Sequence, residues 1–223
     1  MKMADEIENL KRENEHLKER IKWYESQIEQ METLINQYNE LVRREFDNLE
    51  NVVNKIGTHE VIDPVTRVYS RDHMLAYLNF IYSKAFEMNL KCALIFFDID
   101  DFEQRTKMLE KQEIDILMRE IGKFLKNAVR VPLDMVARIG VDEFLILVTE
   151  TPRENVISIA KRINKSFAAQ KFEIDGKMIG MTCTISVVTF PEDSQEIAKL
   201  LDLGEKLLEI GKQKGKNMVI FSE

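Results

Sequence analysis

Arg138-Ile139-Gly140-Val141-Asp142-Glu143-Phe144 is the stretch that decides the fold, taken together with Asp98-Ile99-Asp100 about forty residues earlier. The run Cys92-Ala93-Leu94-Ile95-Phe96-Phe97 is apolar and β-prone, then breaks into acids. Leu145-Ile146-Leu147-Val148 is a second such run, with acids directly before it. Two buried strands flanked by carboxylates, one beside a glycine-containing turn, present a divalent cation site at the edge of a sheet. Mg²⁺ (or Mn²⁺), held by a few carboxylates and by substrate phosphates, suits that arrangement.

Outward from these two stretches, the remaining pattern is mixed. Residues 70–89 read as a helix with Ser70 as cap and Met74, Leu75, Leu78, Ile81, Tyr82 and Phe86 at helical spacing. A second helix is expected from Glu103 or later to Val129, and short strands at 135–138 and 144–149. Residues 155–168 read as helix. Runs 172–174 and 178–190 flank Asp175-Gly176, a hairpin signal. A last helix at 196–212 precedes a last strand at 218–221. Helices against a mostly antiparallel sheet make an α+β domain. Asp100 and Asp101 read as turn or cap residues before a helix.

Residues 5–56 contain neither proline nor glycine. With position a at residue 7, the a series is Ile7, Asn14, Ile21, Ile28, Ile35, Val42, Leu49, Ile56. The d series is Leu10, Leu17, Tyr24, Met31, Tyr38, Glu45, Val52. An apolar seam of period 3.5 over this length is a coiled-coil signal, and β-branched residues at a with one Asn favour a parallel, in-register dimer. The g-to-e′ pairs Glu6–Lys11, Glu13–Lys18 and Arg20–Glu25 are opposite in sign. Each is exposed and worth about 0.5 kcal/mol, so they select orientation more than they hold the helices together. Toward residue 56 the stripe widens through Leu34, Leu41, Phe46 and Val53, a surface for the globular domain or for a second pair of helices. The expected organisation is a dimeric coiled coil at 1–56, a linker at 57–62 and a globular domain at 63–223, with the homodimer formed through residues 7–56.

Composition narrows the class. The chain has 223 residues, a net charge of −7 and 32% charged residues, which argues against a nucleic-acid surface. No apolar run approaches the ~20 residues of a membrane span, and the charged N-terminus does not read as a signal peptide. Cys92 and Cys183 lie in apolar runs and read as buried free thiols, and the expected compartment is the cytoplasm. His16, His59 and His73 share no metal-ligand spacing.

Five stretches in order resemble the GGDEF family of diguanylate cyclase domains, over about residues 61–223. Asp63-Pro64-Val65-Thr66-Arg67-Val68-Tyr69-Ser70-Arg71 is similar to the opening D-x-L-T-G-L-Y-N-R, and Asp98-Ile99-Asp100-Asp101-Phe102 to D-x-D-x-F. Arg138 to Phe144 resembles R-Y-G-G-D-E-F. Ser186-Val187-Val188 stands where S-I-G is usual, and Lys212-Gln213-Lys214-Gly215-Lys216-Asn217 resembles K-x-x-G-R-N. The resemblance implies a palm-like sheet and the condensation of two GTP molecules to cyclic di-GMP. A ribose 3′-hydroxyl attacks an α-phosphorus, each subunit of a dimer presenting one GTP. By position, Asp98, Asp142 and the Ile99 carbonyl would hold the metal, and Asp142, Glu143 and Lys212 would be catalytic. Asp115, Thr106, Gly140, Val141, Lys212 and Lys216 would surround the nucleotide.

Several of these positions depart from the family pattern. Glu103 stands where a phosphate-side Lys is usual. Thr106 replaces a guanine-reading Asn and cannot offer an amide's paired donor and acceptor. Glu110, Lys111 and Ile114 replace Gly, His and Gly, and Lys216 replaces Arg, losing the bidentate fork. Val141 replaces a Gly beside the nucleotide, which is a misfit if the turn needs φ > 0. The product-inhibition R-x-x-D falls on Val131-Pro132-Leu133-Asp134, so only Asp134 remains, with Arg130 one residue out of register. Three readings follow. The preferred one is a degenerate GGDEF signalling module with weak or no cyclase activity that still binds GTP, another nucleotide or Mg²⁺. The main alternative is an active diguanylate cyclase without product inhibition, and the third is a purely structural dimer that binds no nucleotide.

Overall fold

The computed structural model describes residues 61–88 and 91–222, with side chains through Tyr82 and from Lys91 onward, and a scatter of helical residues between 14 and 35. The chain divides into two compact units, Met1–Lys55 and Ile56–Glu223. In the first, the described apolar seam residues Leu17, Ile21, Tyr24, Ile28, Met31 and Ile35 are all helical, and each is about half exposed. The heptad positions before Asn14, including Ile7 and Leu10, those from 36 to 56, and linker residues 57–60 lie outside the described residues.

The second unit runs α1 (Arg71–Met88), β1 (Cys92–Ile99), α2 (Phe102–Thr106), α3 (Lys111–Ala128), β2 (Met135–Arg138), β3 (Glu143–Thr149), α4 (Arg153–Ala169), β4 (Lys171–Ile174), β5 (Lys177–Gly180), β6 (Cys183–Phe190), α5 (Ile197–Gln213) and β7 (Val219–Phe221). The main sheet has the order β2-β3-β1-β6-β7. Its β1–β3, β1–β6 and β2–β3 pairings are antiparallel, and β6–β7 is parallel across the α5 connection. β4 and β5 form a separate hairpin. Its Asp175-Gly176 turn has φ of 47° and 79°, the left-handed pair that a two-residue hairpin demands.

β1 is apolar from Cys92 to Phe97 because both of its faces are covered there. Ala93, Ile95, Phe97 and Ile99 share one core with α3 and α4 residues such as Leu117, Ile121, Ile163 and Phe167. Leu94 and Phe96 share the other with Met74 and Leu78 of α1 and Leu200 and Leu208 of α5. Strand alternation therefore directs Asp98 to the α5 side. Helix α5 lies close to the sheet because its buried stripe alternates leucine with glycine: Leu200, Gly204, Leu208, Gly211. A Cβ on Gly204 would fall 2.0 Å from the Phe96 ring, and one on Gly211 2.7 Å from the Thr184 methyl.

Two sequence expectations need correcting. The single helix expected from Glu103 or later to Val129 begins at Lys111, and a separate short helix stands before it, across residues 107–110. α2 stops after Thr106, and α3 begins with a reciprocal capping box between Glu110 and Glu113, which starts a new helix rather than continuing the old one. The strand expected over 178–190 is also two elements. It breaks at Met181–Thr182, where the chain passes from the small hairpin to the main sheet and the Thr182 carbonyl accepts the Asp100 N–H at 2.9 Å. The Ser70 cap is present, its hydroxyl accepting the His73 N–H at 3.2 Å. Cys92 is half-buried and Cys183 buried, both as free thiols, and burial pushes the Cys92 thiol up to about 11.

Candidate active site

The carboxyl end of β1 and the β2–β3 turn lie side by side. Asp98 is in register with Glu143, and the Ile99 N–H donates to the Asp142 carbonyl at 3.2 Å. The turn closes through the Glu143 carbonyl, which accepts the N–H groups of Ile139 (2.9 Å) and Gly140 (3.3 Å). Arg138 braces it from one side, donating through Nε to the Gly140 carbonyl at 3.1 Å and through Nη2 to the Val141 carbonyl at 2.7 Å.

An open cleft of about 270 Å³ is lined by Asp98, Ile99, Asp100, Asp101, Phe102, Glu103, Gln104, Asp142, Lys212 and Lys216. The structure thus brings together every residue expected to meet cation or phosphate except Glu143. Asp98 is almost wholly buried, and its Oδ2 lies 2.7 Å from the Lys212 ammonium. Burial pushes the Asp98 carboxyl up to about 6; Lys212 opposes that shift, and the Asp142 and Glu143 carboxylates add to it. Burial works to lower the Lys212 pKa, but the bond and charge of Asp98, with Glu143 and Asp142, hold it above its ordinary range. Lys216 pairs with Asp101, whose carboxylate raises the lysine's pKa.

Glu143 faces a neighbouring cleft of about 350 Å³ with Glu205, Glu209 and Ile139, and Lys212 is the wall the two clefts share. Strand alternation places it there, on the α5 side like Asp98. Nothing in the local sequence pairs Glu205 and Glu209 with it; the α5–sheet contact does.

Among the described residues, no group of three or more His, Cys, Asp or Glu side chains is set to hold a metal ion by itself. The donors available are carboxylate and carbonyl oxygens, hard ligands that suit Mg²⁺ or Mn²⁺ when phosphates complete the shell. Asp98, Asp142 and the Ile99 carbonyl fit that partial set. Such an ion would neutralise charge on phosphate oxygens.

The base-reading positions are arranged differently. Thr106 is buried, and its hydroxyl donates to the Phe102 carbonyl at 2.8 Å within its own short helix. Asp115 is half-buried in the second turn of α3, and neither residue lines the cation cleft. Glu103 is exposed on the cleft wall. Val141 does not have the positive φ that would have made it a backbone misfit, and its side chain is 70% exposed. The non-glycine residues in the left-handed region are instead Arg67 (59°), Asp101 (55°), Glu150 (48°), Asp175 (47°), Lys216 (64°) and Asn217 (46°). At the expected inhibitory position, Asp134 is buried and held by a forked pair from Arg130, at 3.0 and 2.8 Å, and by the Thr149 N–H at 3.3 Å. The one-residue offset of Arg130 thus turns it inward onto Asp134.

Residues 60–218 match the family described as Diguanylate cyclase, GGDEF domain, and the chain belongs to that family. It is 29% identical to Diguanylate cyclase A of Treponema denticola over 131 residues, 59% of this chain and 35% of that protein. It is 23% identical to Diguanylate cyclase DosC of Escherichia coli K12 over 173 residues, 77% of this chain and 37% of that one. The chain spans half or less of the length of the curated relatives it matches, from 19% to 49%. Its fold is shared with the coiled coil and GGDEF domain of DgcB from Caulobacter crescentus in complex with c-di-GMP, at TM-score 0.67 and 18% identity over 86% of this chain and 99% of that one. It is also shared with diguanylate cyclase SiaD in complex with its activator SiaC from Pseudomonas aeruginosa, at TM-score 0.70 and 19% identity over 99% and 82%. Among the described residues, no helix is long and apolar enough to cross a membrane.

Proposed function

We propose that this chain is a homodimeric, cytoplasmic signalling protein of the cyclic-di-GMP type whose GGDEF domain keeps its cation-and-phosphate half and has an eroded guanine-reading half, in which Asp115 is kept but Thr106 stands for Asn. Cyclase activity is weak or absent in this reading, while GTP or another nucleotide still binds with Mg²⁺ or Mn²⁺. One observation carries it. Asp98, Asp142, Lys212 and Lys216 line a single cleft, whereas Thr106 donates its only hydroxyl to its own helix and Glu103 adds a negative charge to the cleft wall. A triphosphate held by its phosphates alone leaves the ribose poorly placed. A misplacement of about 1 Å can cost on the order of 10²-fold in rate.

The homodimer rests on the N-terminal seam. Six of its described apolar residues are exposed on a single chain, and a second copy would bury them.

The test is GTP turnover by the full chain with Mg²⁺ or Mn²⁺, analysed for cyclic dinucleotides. The parent should yield only traces. Val141→Gly, Thr106→Asn and Glu103→Lys together should raise cyclic di-GMP far above the parent, and a further Asp142→Ala should abolish the gain. A parent that turns over at about 1 s⁻¹ or faster, the range of ordinary enzymes, overturns the reading.

The other reading is a working cyclase without product inhibition. The exposed, unstrained Val141 favours it, because this side chain does not wedge the turn. Cyclic di-GMP formation by the parent at enzyme rates would establish it.

A further inference from the structure

Asp100 is a buried carboxylate beside the cleft that none of the roles above uses. It is 3% exposed. Its Oδ1 accepts the Thr184 hydroxyl at 2.6 Å, and its Oδ2 accepts the Thr182 hydroxyl at 2.7 Å and the Asn217 N–H at 2.9 Å. Its own N–H donates to the Thr182 carbonyl at 2.9 Å. Three donors thus converge on this one carboxylate, the arrangement of charge-assisted hydrogen bonds. The donors come from the start of β6 and from the loop after α5, so the residue that follows β1 is tied to both.

That loop is one that needs holding. Gly215, Lys216 and Asn217 have φ of 125°, 64° and 46°. Two consecutive non-glycine residues in the left-handed region are disfavoured and persist only when their surroundings impose them. The Lys216 N–H donates to the Gly211 carbonyl at 3.1 Å, and the next N–H, that of Asn217, goes to Asp100. These two bonds fix the peptide on each side of the Lys216 α-carbon, and hence the direction in which its side chain leaves the backbone. The ammonium then meets Asp101 on the cleft wall.

We propose that Asp100 is a positioning residue: through the Asn217 amide it sets the backbone of Lys216, so that the ammonium faces the cleft and exchanges Asp101 for a phosphate oxygen. This rests on the reading of Lys216 as a phosphate-side residue. The Thr184 methyl packs where α5 has Gly211, so the same threonine serves helix packing with its methyl and Asp100 with its hydroxyl.

A double-mutant cycle on the full chain separates positioning from general support. The probe is inorganic tripolyphosphate with Mn²⁺, followed by calorimetric titration, with Asp100→Ala, Lys216→Met and the pair. Asp100→Ala should weaken binding roughly tenfold when Lys216 is present and less than about twofold when it is methionine, a coupling within the range of contacting residues. Asp100→Asn keeps an oxygen for the Asn217 N–H and should recover most of the loss. Equal losses in the two backgrounds would overturn the proposal, as would failure of both the alanine and asparagine variants to fold.

Amide hydrogen exchange gives the second readout. Asp100→Ala should speed exchange at Asn217 while the interior of α5 and β6 stays protected, and unchanged exchange at Asn217 would overturn the proposal. If the parent does not bind tripolyphosphate at all, the proposed function fails, and the exchange measurement alone decides the role of Asp100.

Discussion

Arg138 Nη1 lies 3.5 Å from Asp63 Oδ1, with both side chains largely buried, so the first motif of the domain and the β2–β3 turn are one structural unit. The same Asp63 oxygen accepts the Thr66 N–H at 2.7 Å and the Thr66 hydroxyl at 2.6 Å. The other guanidinium nitrogens hold the Gly140 and Val141 carbonyls. Arg138→Met should therefore cost about 2 kcal/mol, the scale of lost hydrogen bonds to a charged group. Arg138→Lys should recover little, because an ammonium cannot span the fork. Urea unfolding followed by circular dichroism measures both, and a loss below about 0.5 kcal/mol would mean the turn holds its shape without Arg138.

Asp98 gives the free protein a pH signature. Its pKa is raised to about 6 from an unfolded value of about 3.9, so the folded state binds this proton more tightly. The stability it contributes is complete below about pH 4 and is lost as pH rises through 6. Asp98→Asn cannot titrate. The stability of the variant relative to the parent should therefore rise between pH 4.5 and 7.5 in metal-free buffer. A difference that stays flat, or that falls, contradicts the assignment.

Cyclic di-GMP should not bind through Asp134, because this carboxylate is already committed to Arg130 and to the Thr149 N–H. Asp134→Ala should instead destabilise the fold by about 2 kcal/mol, by stranding a buried N–H and releasing the guanidinium. Micromolar binding by calorimetry that disappears in Asp134→Ala, without a comparable loss of thermal stability, would contradict this.

Gly204→Ala should destabilise by about 2 kcal/mol or more, since the added methyl meets the Phe96 ring in a buried contact that cannot open without moving α5. Phe96→Leu in the same chain should restore part of the loss. Thermal melts of the two single variants and the double variant decide it, and purely additive losses would place the strain elsewhere.

Much of the layout was legible in the sequence wherever the information is local. The apolar runs of β1 and β3, the Ser70 cap and the Asp175-Gly176 turn each announce themselves within a few residues. The family resemblance supplied the order in which the motifs meet, and it picked out Asp98, Asp142, Lys212 and Lys216, which the structure gathers on one cleft. The break at 107–110 was missed because the Glu110–Glu113 box sits inside a continuous helical pattern. The hydrogen bonds of Asp100 are not legible because its partners, Thr182, Thr184 and Asn217, are more than eighty residues away in sequence. The ordinary φ of Val141 is not legible either, because a turn's backbone angles cannot be read from residue types alone.

The central position of β1 has an evolutionary consequence. Asp98 extends from a strand bonded on both sides and buried on both faces, so substitutions that reshape its surroundings also disturb the core. Glu103 and Glu110, by contrast, are exposed on a five-residue helix and on the short connection after it. Mutational drift is cheap there and expensive at β1. Under the proposed function, a chain built this way can shed a preference for one nucleobase without losing the residues proposed for metal and phosphate, which leaves a route open to a new ligand without rebuilding the sheet.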